Sequence, residues 1–180
     1  LFDGTTTFGW ASNSDQLKWS IKDGAVEAED GPAGLLVTSA TYADFELLCD
    51  CWLAEGGNSG IFVRTKPTPK SVTADCYELN LCDNHPQKFN TGSIVGIAPS
   101  TTEVKGTGSW KKFRVRCEGT RIQIWIDGAL AQDFTDSRPE AKGLREGRIG
   151  LQKNMGLAKY RNIYLKPLST TPLFNGKDLT

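Results

Sequence analysis

Apolar and polar residues alternate with a period of two in short segments along most of the chain. Clusters of Gly, Pro, Asn, Asp and Ser separate these segments, as is typical of strands joined by turns. The best helical candidate is a turn or two around residues 138–143. The pattern predicts strands near residues 17–22, 25–29, 34–38, 45–54, 59–64, 76–82, 93–97, 110–118, 121–126, 129–135, 147–152 and 159–166.

Tight turns connect several of these segments directly. Asp23-Gly24 and Asp127-Gly128 are residue pairs that two-residue hairpins favour, because both positions need a positive φ. Repeated hairpins without intervening helices indicate an all-β fold. We therefore predict an antiparallel two-sheet β-sandwich of the jelly-roll type, with a closed barrel as the alternative. A chain of 180 residues is long enough for one core.

A short internal repeat bears on the domain organisation. The opening Leu1-Phe2-Asp3-Gly4 returns as Leu173-Phe174-Asn175-Gly176. We expect a sandwich domain over residues 1–167, a Ser/Thr-rich linker at 168–172, and the start of a second copy at 173–180. Coincidence is the alternative reading of so short a match.

Charge and cysteine content exclude several classes of partner. The 21 basic and 21 acidic side chains cancel, which disfavours nucleic acid and anionic membranes. No apolar run approaches the roughly 20 residues of a membrane-spanning helix. The five cysteines show no paired CxxC spacing, so we assign no metal ligands. Cys49 and Cys51 share parity with apolar neighbours and are predicted core residues.

Strand alternation also predicts which polar side chains face away from the core. If the strands that carry them share one sheet, its outer face holds a polar row with Phe62 nearby. Planar amide, carboxylate and guanidinium groups beside an aromatic ring suit a sugar, although an ordinary solvated sheet face would look similar. The row consists of Arg64, Glu78, Asn80, Gln123, Trp125 and Gln152.

Two loops flank this row. The side-chain-poor segment Gly56-Gly57-Asn58-Ser59-Gly60 leads into the strand of Arg64, so a ligand could approach the backbone near Asn58. The loop after the Glu78 strand holds His85, the only histidine of the chain. A solvated histidine is the alternative to a catalytic one.

Several segments in order resemble the 3-keto-disaccharide hydrolase family. The resemblance implies a concanavalin-like jelly roll, a secreted or periplasmic bacterial protein, and a polar site on the concave sheet that acts on sugar derivatives. It also favours a tandem second copy, since members often begin with the sequence that ends this chain. The segments are Leu1-Phe2-Asp3-Gly4, Trp19-Ser20-Ile21-Lys22-Asp23-Gly24, Asn58-Ser59-Gly60-Ile61-Phe62-Val63-Arg64, Tyr77-Glu78, Trp125-Ile126-Asp127-Gly128 and Gly147-Arg148-Ile149-Gly150-Leu151-Gln152.

The chain departs from this family at two places. Arg64, Glu78 and Gln152 fall on the family's polar pattern, but Asn80 stands where a glutamine is common. After Leu-Gln the family commonly reads Asp-His-Gly, whereas this chain reads Lys153-Asn154-Met155-Gly156. The family's ionisable Asp-His pair is therefore missing from this chain, which argues against a simple catalytic turnover of substrate here.

Three functions follow from these residues. In the first, an enzyme cleaves (3-keto-)glycosides by elimination, with Glu78 or His85 as the base and Arg64 or Lys153 stabilising the enolate. The sequence requires no cofactor, and a divalent metal ion in place of the cation stays open. In the second, the same face binds carbohydrate without cleaving it; the third is a structural sandwich domain without a ligand. The predicted substrate-binding residues are Arg64, Asn80, Trp125, Gln152, Lys153 and Asn58.

Overall fold

A computed structural model describes residues 1–169 as two antiparallel sheets packed into a sandwich. The prediction of an all-β two-sheet fold is confirmed, and the barrel alternative is wrong because the sheets share no ladder. The strands are β1 (Trp10–Ser12), β2 (Ser20–Lys22), β3 (Ala25–Ala28), β4 (Gly34–Thr38), β5 (Phe45–Leu53), β6 (Ser59–Thr65), β7 (Tyr77–Leu81), β8 (Lys111–Glu118), β9 (Arg121–Ile126), β10 (Ala129–Thr135), β11 (Arg148–Lys153) and β12 (Ala158–Pro167).

The strand order separates the chain into one small and one large sheet. The five-stranded sheet runs β1-β4-β11-β6-β7, and the seven-stranded sheet runs β10-β9-β8-β5-β12-β3-β2. Apolar side chains of alternate residues from both sheets meet in a single core, as sandwich packing requires. Each sheet therefore has an outer face that points away from the other sheet.

The structure differs from the predicted elements in two places. Strand β1 was not predicted, because its three residues are too few to show an alternation. Residues 93–97 form only isolated bridges, at Ile94, because Gly92 and Gly96 adopt positive φ angles and turn the chain. The predicted helical turn is present as a 3₁₀ helix over Pro139–Gly143.

The core includes the cysteines. All five are free and buried, so the core prediction for Cys49 and Cys51 is confirmed. One polar group also crosses the core: the Tyr160 hydroxyl on β12 donates to the carbonyl of Gln152 at 2.7 Å and lies 2.6 Å from the Ser59 hydroxyl. This hydrogen bond connects β12 of the seven-stranded sheet to β11 of the five-stranded sheet.

Two sequence-based expectations concern the ends and the membrane. Within residues 1–169, no helix is long and apolar enough to cross a membrane. Most of the predicted linker and the predicted start of a second copy, at residues 170–180, lie outside the described part of the chain. Leu168 lies inside it and donates its backbone N–H to the carbonyl of Asp44 at 2.9 Å.

Candidate functional site

The predicted polar row is divided between the two sheets. Glu78, Asn80 and Gln152 lie on β7 and β11 of the five-stranded sheet, whereas Trp125 and Gln123 lie on β9 of the seven-stranded sheet. The prediction of one shared face is therefore wrong. Alternation identifies the outward residues of each strand, but sheet membership depends on pairing between distant segments.

The prediction that Arg64 faces outward is also wrong. Arg64 is 1% exposed and binds four oxygens inside the protein. Its Nε donates to Ala43 O at 2.9 Å, and its Nη2 donates to the Asp44 carboxylate at 3.0 Å. Its Nη1 donates to Gly119 O at 2.6 Å and to Leu144 O at 3.2 Å. These bonds connect the end of β6 to three loops. All the recorded donors of the guanidinium group are used inside the protein, so it is not available to bind substrate.

Backbone conformation explains why Arg64 breaks the alternation. Its φ angle is 51°, in the left-handed region, and the pairing of β6 with β11 shifts between Arg148 and Gly150. A bulge of this kind re-aims a side chain relative to its neighbours. Gly147 packs against this backbone so closely that a Cβ there would lie 2.4 Å from the Arg64 carbonyl carbon.

Glu78 is the central ionisable group on the outer face of the five-stranded sheet. Its neighbours in the strand, Tyr77 and Leu79, point into the core, so its carboxyl points outward as predicted. Covering loops nevertheless leave Glu78 only 6% exposed. Burial raises the pKa of this carboxyl to about 7, although the hydrogen bond that Gln152 Nε2 donates to Oε1 at 3.1 Å lowers it. The group is therefore poised to exchange a proton near neutral pH.

A glycine lies between the polar side chains of this face. Gly60 on β6 pairs with Asn80 on β7, and the Ile61–Leu151 pair places Gln152 beside Gly60 on the other side. A Cβ at Gly60 would lie 2.8 Å from the carbonyl oxygen of Leu79, so no larger residue fits without a shift. Between the Asn80 and Gln152 amides, the face consequently exposes main chain without a side chain.

Three amide oxygens on this face accept no hydrogen bond from the described residues. They belong to Asn58, Asn80 and Gln152, and all three are buried atoms. The Asn80 orientation is fixed because its Nδ2 donates to the carbonyl of Phe89. Buried polar atoms are normally satisfied, so these acceptors call for an O–H donor from water or from a ligand. Sugar hydroxyls are donors of this kind.

A cavity of about 390 Å³ opens over this face. Glu78, Gln152 and Phe62 form part of its wall, and Asn13 and Lys70 contribute from loops. The Lys70 side chain is exposed and forms no ion pair within residues 1–169. It is the cation that the structure brings to the Glu78 cavity. Sequence reasoning missed Asn13 and Lys70, because loop residues carry no periodic signal that assigns them to a face.

Lys153 does not take part in this arrangement. It alternates with Gln152 on β11, shares parity with the core residue Leu151, and is 7% exposed. Its Nζ donates to the carbonyl of Gly31 at 2.9 Å. The structure therefore places this ammonium away from Glu78, contrary to the predicted role in stabilising an enolate.

His85 lies in the loop after β7 and is half-buried. Its Nδ1 accepts a hydrogen bond from the backbone of Gln87 at 3.2 Å, and its ring packs edge-on against Phe89 at 5.8 Å. His85 is not among the residues that line the Glu78 cavity. Of the two predicted bases, the structure brings only Glu78 together with the open amides.

A second cavity, of about 450 Å³, lies at the Asn58 end of the same sheet. Asn58 itself, Cys82, Asp83 and Met155 contribute to its lining. Asp83 is held by the Thr107 hydroxyl at 2.6 Å, so this carboxylate is already engaged. The prediction that a ligand could approach near Asn58 is compatible with this cavity.

Comparison with known proteins relates this geometry to carbohydrate chemistry. Residues 1–166 match the family of 3-keto-alpha-glucoside-1,2-lyase-like domains. A 3-keto-disaccharide hydrolase of Bacteroides thetaiotaomicron is 28% identical over 224 residues, which covers 93% of this chain and 77% of that protein.

Two solved structures share the fold. One is assigned as a glycosyl hydrolase from Parabacteroides distasonis, with a TM-score of 0.77, 22% identity and coverage of 94% of this chain and 93% of that one. The other is a carbohydrate-binding module from Bacillus subtilis, with a TM-score of 0.67, 19% identity and coverage of 88% and 95%. At these identities the two structures show the fold alone.

Proposed function

Because the chain belongs to the family of 3-keto-alpha-glucoside-1,2-lyase-like domains, we propose that it cleaves 3-keto-glycosides on the outer face of its five-stranded sheet. One observation carries the proposal: Glu78 is a buried carboxyl whose pKa is raised to about 7, beside amides with open acceptors. The name of the Bacteroides relative, a 3-keto-disaccharide hydrolase, supports the same substrate class.

The reaction follows from the chemistry of a ketone at C3. The carbonyl acidifies the C2–H bond, and the Glu78 carboxylate takes that proton while the electron pair delocalises as an enolate. When the enolate collapses, the pair forms a C1=C2 double bond and the C1–O bond breaks. The leaving oxygen then takes a proton, for which protonated Glu78 is a donor. Addition of water across C1=C2 completes a net hydrolysis.

Residues around Glu78 would stabilise the enolate oxygen and bind the sugar hydroxyls during this elimination. The enolate oxygen needs a donor or cation, and Lys70 is the free cation of the cavity lining, since Arg64 and Lys153 bind backbone oxygens elsewhere. The sugar hydroxyls need acceptors, and the Gln152 oxygen in the cavity lining would provide one. Phe62 adds an apolar wall against the C–H face of the ring.

The test compares a 3-keto-glucoside with its unoxidised parent, using wild-type protein and Glu78→Gln. We expect cleavage of the keto-sugar alone, exchange of the C2 hydrogen with deuterated solvent, and loss of both in Glu78→Gln. Glu118→Gln is the matched control, because Glu118 is an exposed residue on β8 of the other sheet. Turnover that persists in Glu78→Gln would refute the assignment of the base.

A second candidate function is carbohydrate binding without cleavage. The substitution of Lys153-Asn154 for an ionisable pair favours it, and so does a fold shared with a binding module. Calorimetry with 3-keto-glucoside distinguishes the two: saturable heat without product supports binding alone, and cleavage excludes it. Export from the cell and a second copy from residue 173 stay predictions, which cell fractionation and the sequence of the gene would test.

A further inference from the structure

The outer face of the seven-stranded sheet carries a continuous row of side chains that crosses five strands. Register pairs Tyr164 with Leu48, Leu48 with Arg114, Arg114 with Trp125, and Trp125 with Leu130. Neighbouring strands lie about 4.8 Å apart, so the row is roughly 19 Å long. Its length suits a chain of several sugar units better than a single sugar.

The row exposes more apolar surface than a solvated sheet face normally does. Tyr164 is 59% exposed, and Leu48 and Leu130 are each 43% exposed. These three are among the few large apolar side chains of residues 1–169 that are exposed to this degree. Their alignment in one row, rather than their scatter over the surface, indicates a contact surface.

Two tryptophan rings along this face are held by guanidinium groups. The Arg114 guanidinium lies 4.6 Å from the centre of the Trp125 ring, and that of Arg161 lies 4.0 Å from the centre of the Trp110 ring. Such cation–π contacts hold each guanidinium group against its aromatic ring. The face therefore carries aromatic rings with fixed neighbours, and aromatic rings suit the C–H faces of pyranose rings.

A bulge in β12 builds one end of this surface. Tyr160 and Ile163 are both fully buried although they have opposite parity, because Asn162 has a φ angle of 51° and the register shifts there. The shift turns both Arg161 and Tyr164 toward the outer face. Asn162 Nδ2 donates to the Asp50 carboxylate at 2.9 Å, which holds the bulge against β5. Bulges of this type commonly serve to aim side chains at a site.

The groove beside the row is positively charged. It has a volume of about 770 Å³, and the charged residues of its lining are the cations Lys112, Arg114 and Arg161 and the anion Asp50. Arg114 pairs with Glu46 at 2.8 Å and Arg161 with Asp50 at 3.5 Å. Lys112 lies opposite Asp50 in the register but forms no ion pair within the described residues, so the three cations of the lining outnumber its one anion.

We propose that this groove is a second glycan site, which binds an acidic oligosaccharide. The apolar row would contact the sugar rings, and Lys112 with the two arginines would contact carboxylates on the sugar. A second copy of the chain fits the surface less well, because a charged row of Lys166, Glu46, Arg116 and Asp133 runs beside the apolar one. Charged residues are depleted at the centres of protein interfaces.

The experiment uses calorimetry with tetragalacturonate as the acidic probe and cellotetraose as the neutral one. We expect saturable binding of tetragalacturonate, weakened by added salt. Tyr164→Ala and Lys112→Ala should each lower the affinity about tenfold or more, as loss of a central contact does. Phe8→Ala removes a ring that is 91% exposed and lies outside the groove lining, so it is the matched control and should leave binding unchanged.

Four results would overturn the proposal. They are absence of tetragalacturonate binding, equal affinity for cellotetraose, unchanged affinity in Lys112→Ala and Tyr164→Ala, and a dimer in sedimentation that Tyr164→Ala dissociates. Lys112 is exposed, so its variant should fold normally even if Tyr164→Ala does not. No keto-sugar and no turnover enter the assay. Its failure is therefore distinct from failure of the function proposed for the five-stranded sheet.

Discussion

Gln152 and Glu78 form a hydrogen bond across an intervening strand, from Nε2 to Oε1 at 3.1 Å. Gln152 lies on β11 and Glu78 on β7, with β6 between them. The side chains meet above β6 because Gly60 contributes no side chain there. The only protein donor recorded for the Glu78 carboxyl in residues 1–169 is thus a neutral amide, so its charge is poorly compensated.

The buried Glu78 carboxyl should make folding stability depend on pH. Its pKa is about 7 in the folded protein against 4.5 in the unfolded chain, so the folded state binds the extra proton between these values. The group contributes no penalty below pH 4.5; the penalty grows as the pH rises from 4.5 to 7 and is complete once the pH has passed the folded-state value. The full penalty is about 3 kcal/mol. We expect Glu78→Gln to gain stability relative to wild type by about this amount between pH 4.5 and pH 8, measured by urea unfolding. A constant difference would contradict the shifted pKa.

Replacement of Gln152 should move the pH dependence of activity. The Gln152 hydrogen bond lowers the pKa of Glu78, so Gln152→Leu should raise that pKa further above its ordinary value. The rising limb of kcat/KM for the keto-glycoside should then shift to higher pH. Gln123→Leu, on the other sheet, is the control and should leave the profile in place. An unshifted limb in Gln152→Leu would show that another group titrates.

Arg64 should contribute to stability far more than the other arginines. Arg64→Leu removes the cation from the Asp44 carboxylate, which keeps only the Gly119 N–H, and removes the guanidinium donors of three carbonyls, so we expect a loss of about 3–5 kcal/mol. The control Arg121→Leu removes an exposed pair with Asp133, which solvent screens, and should change stability far less. Chemical denaturation measures both. Similar losses for the two variants would refute the structural role of Arg64.

Gly60→Ala tests whether the candidate site requires a position without a side chain at Gly60. The added methyl would approach the Leu79 carbonyl oxygen at 2.8 Å and the Glu78 Cγ at 3.5 Å. We expect lower stability, by about 1–3 kcal/mol, together with weaker binding of keto-glycoside. Gly143→Ala is the matched control, since nothing lies within 4 Å of its added methyl. Wild-type binding by Gly60→Ala would show that the ligand does not use this part of the face.

Alternation in the sequence predicted the direction of most side chains and much less about their neighbours. Glu78 and Trp125 both lie on outer faces as expected, because each strand keeps its own period. The prediction that they share one face was wrong, because pairing between distant strands leaves no signal in the local sequence. The predicted direction of the Arg64 side chain was wrong for a different reason. A residue with a left-handed backbone conformation inverts the alternation of its strand, and nothing in the neighbouring sequence marks this one. Lys70 depends on the path of a loop, which only the folded structure shows.

Strand β12 contacts the backbone of the five-stranded sheet and the outer face of its own sheet through consecutive residues. The Tyr160 hydroxyl binds the carbonyl beneath Gln152, and the next residue, Arg161, stacks on Trp110 on the opposite side. Two adjacent positions of one strand thus link the two surfaces through the core. With both proposed sites occupied, the domain would hold a polymer on one side and a small sugar on the other.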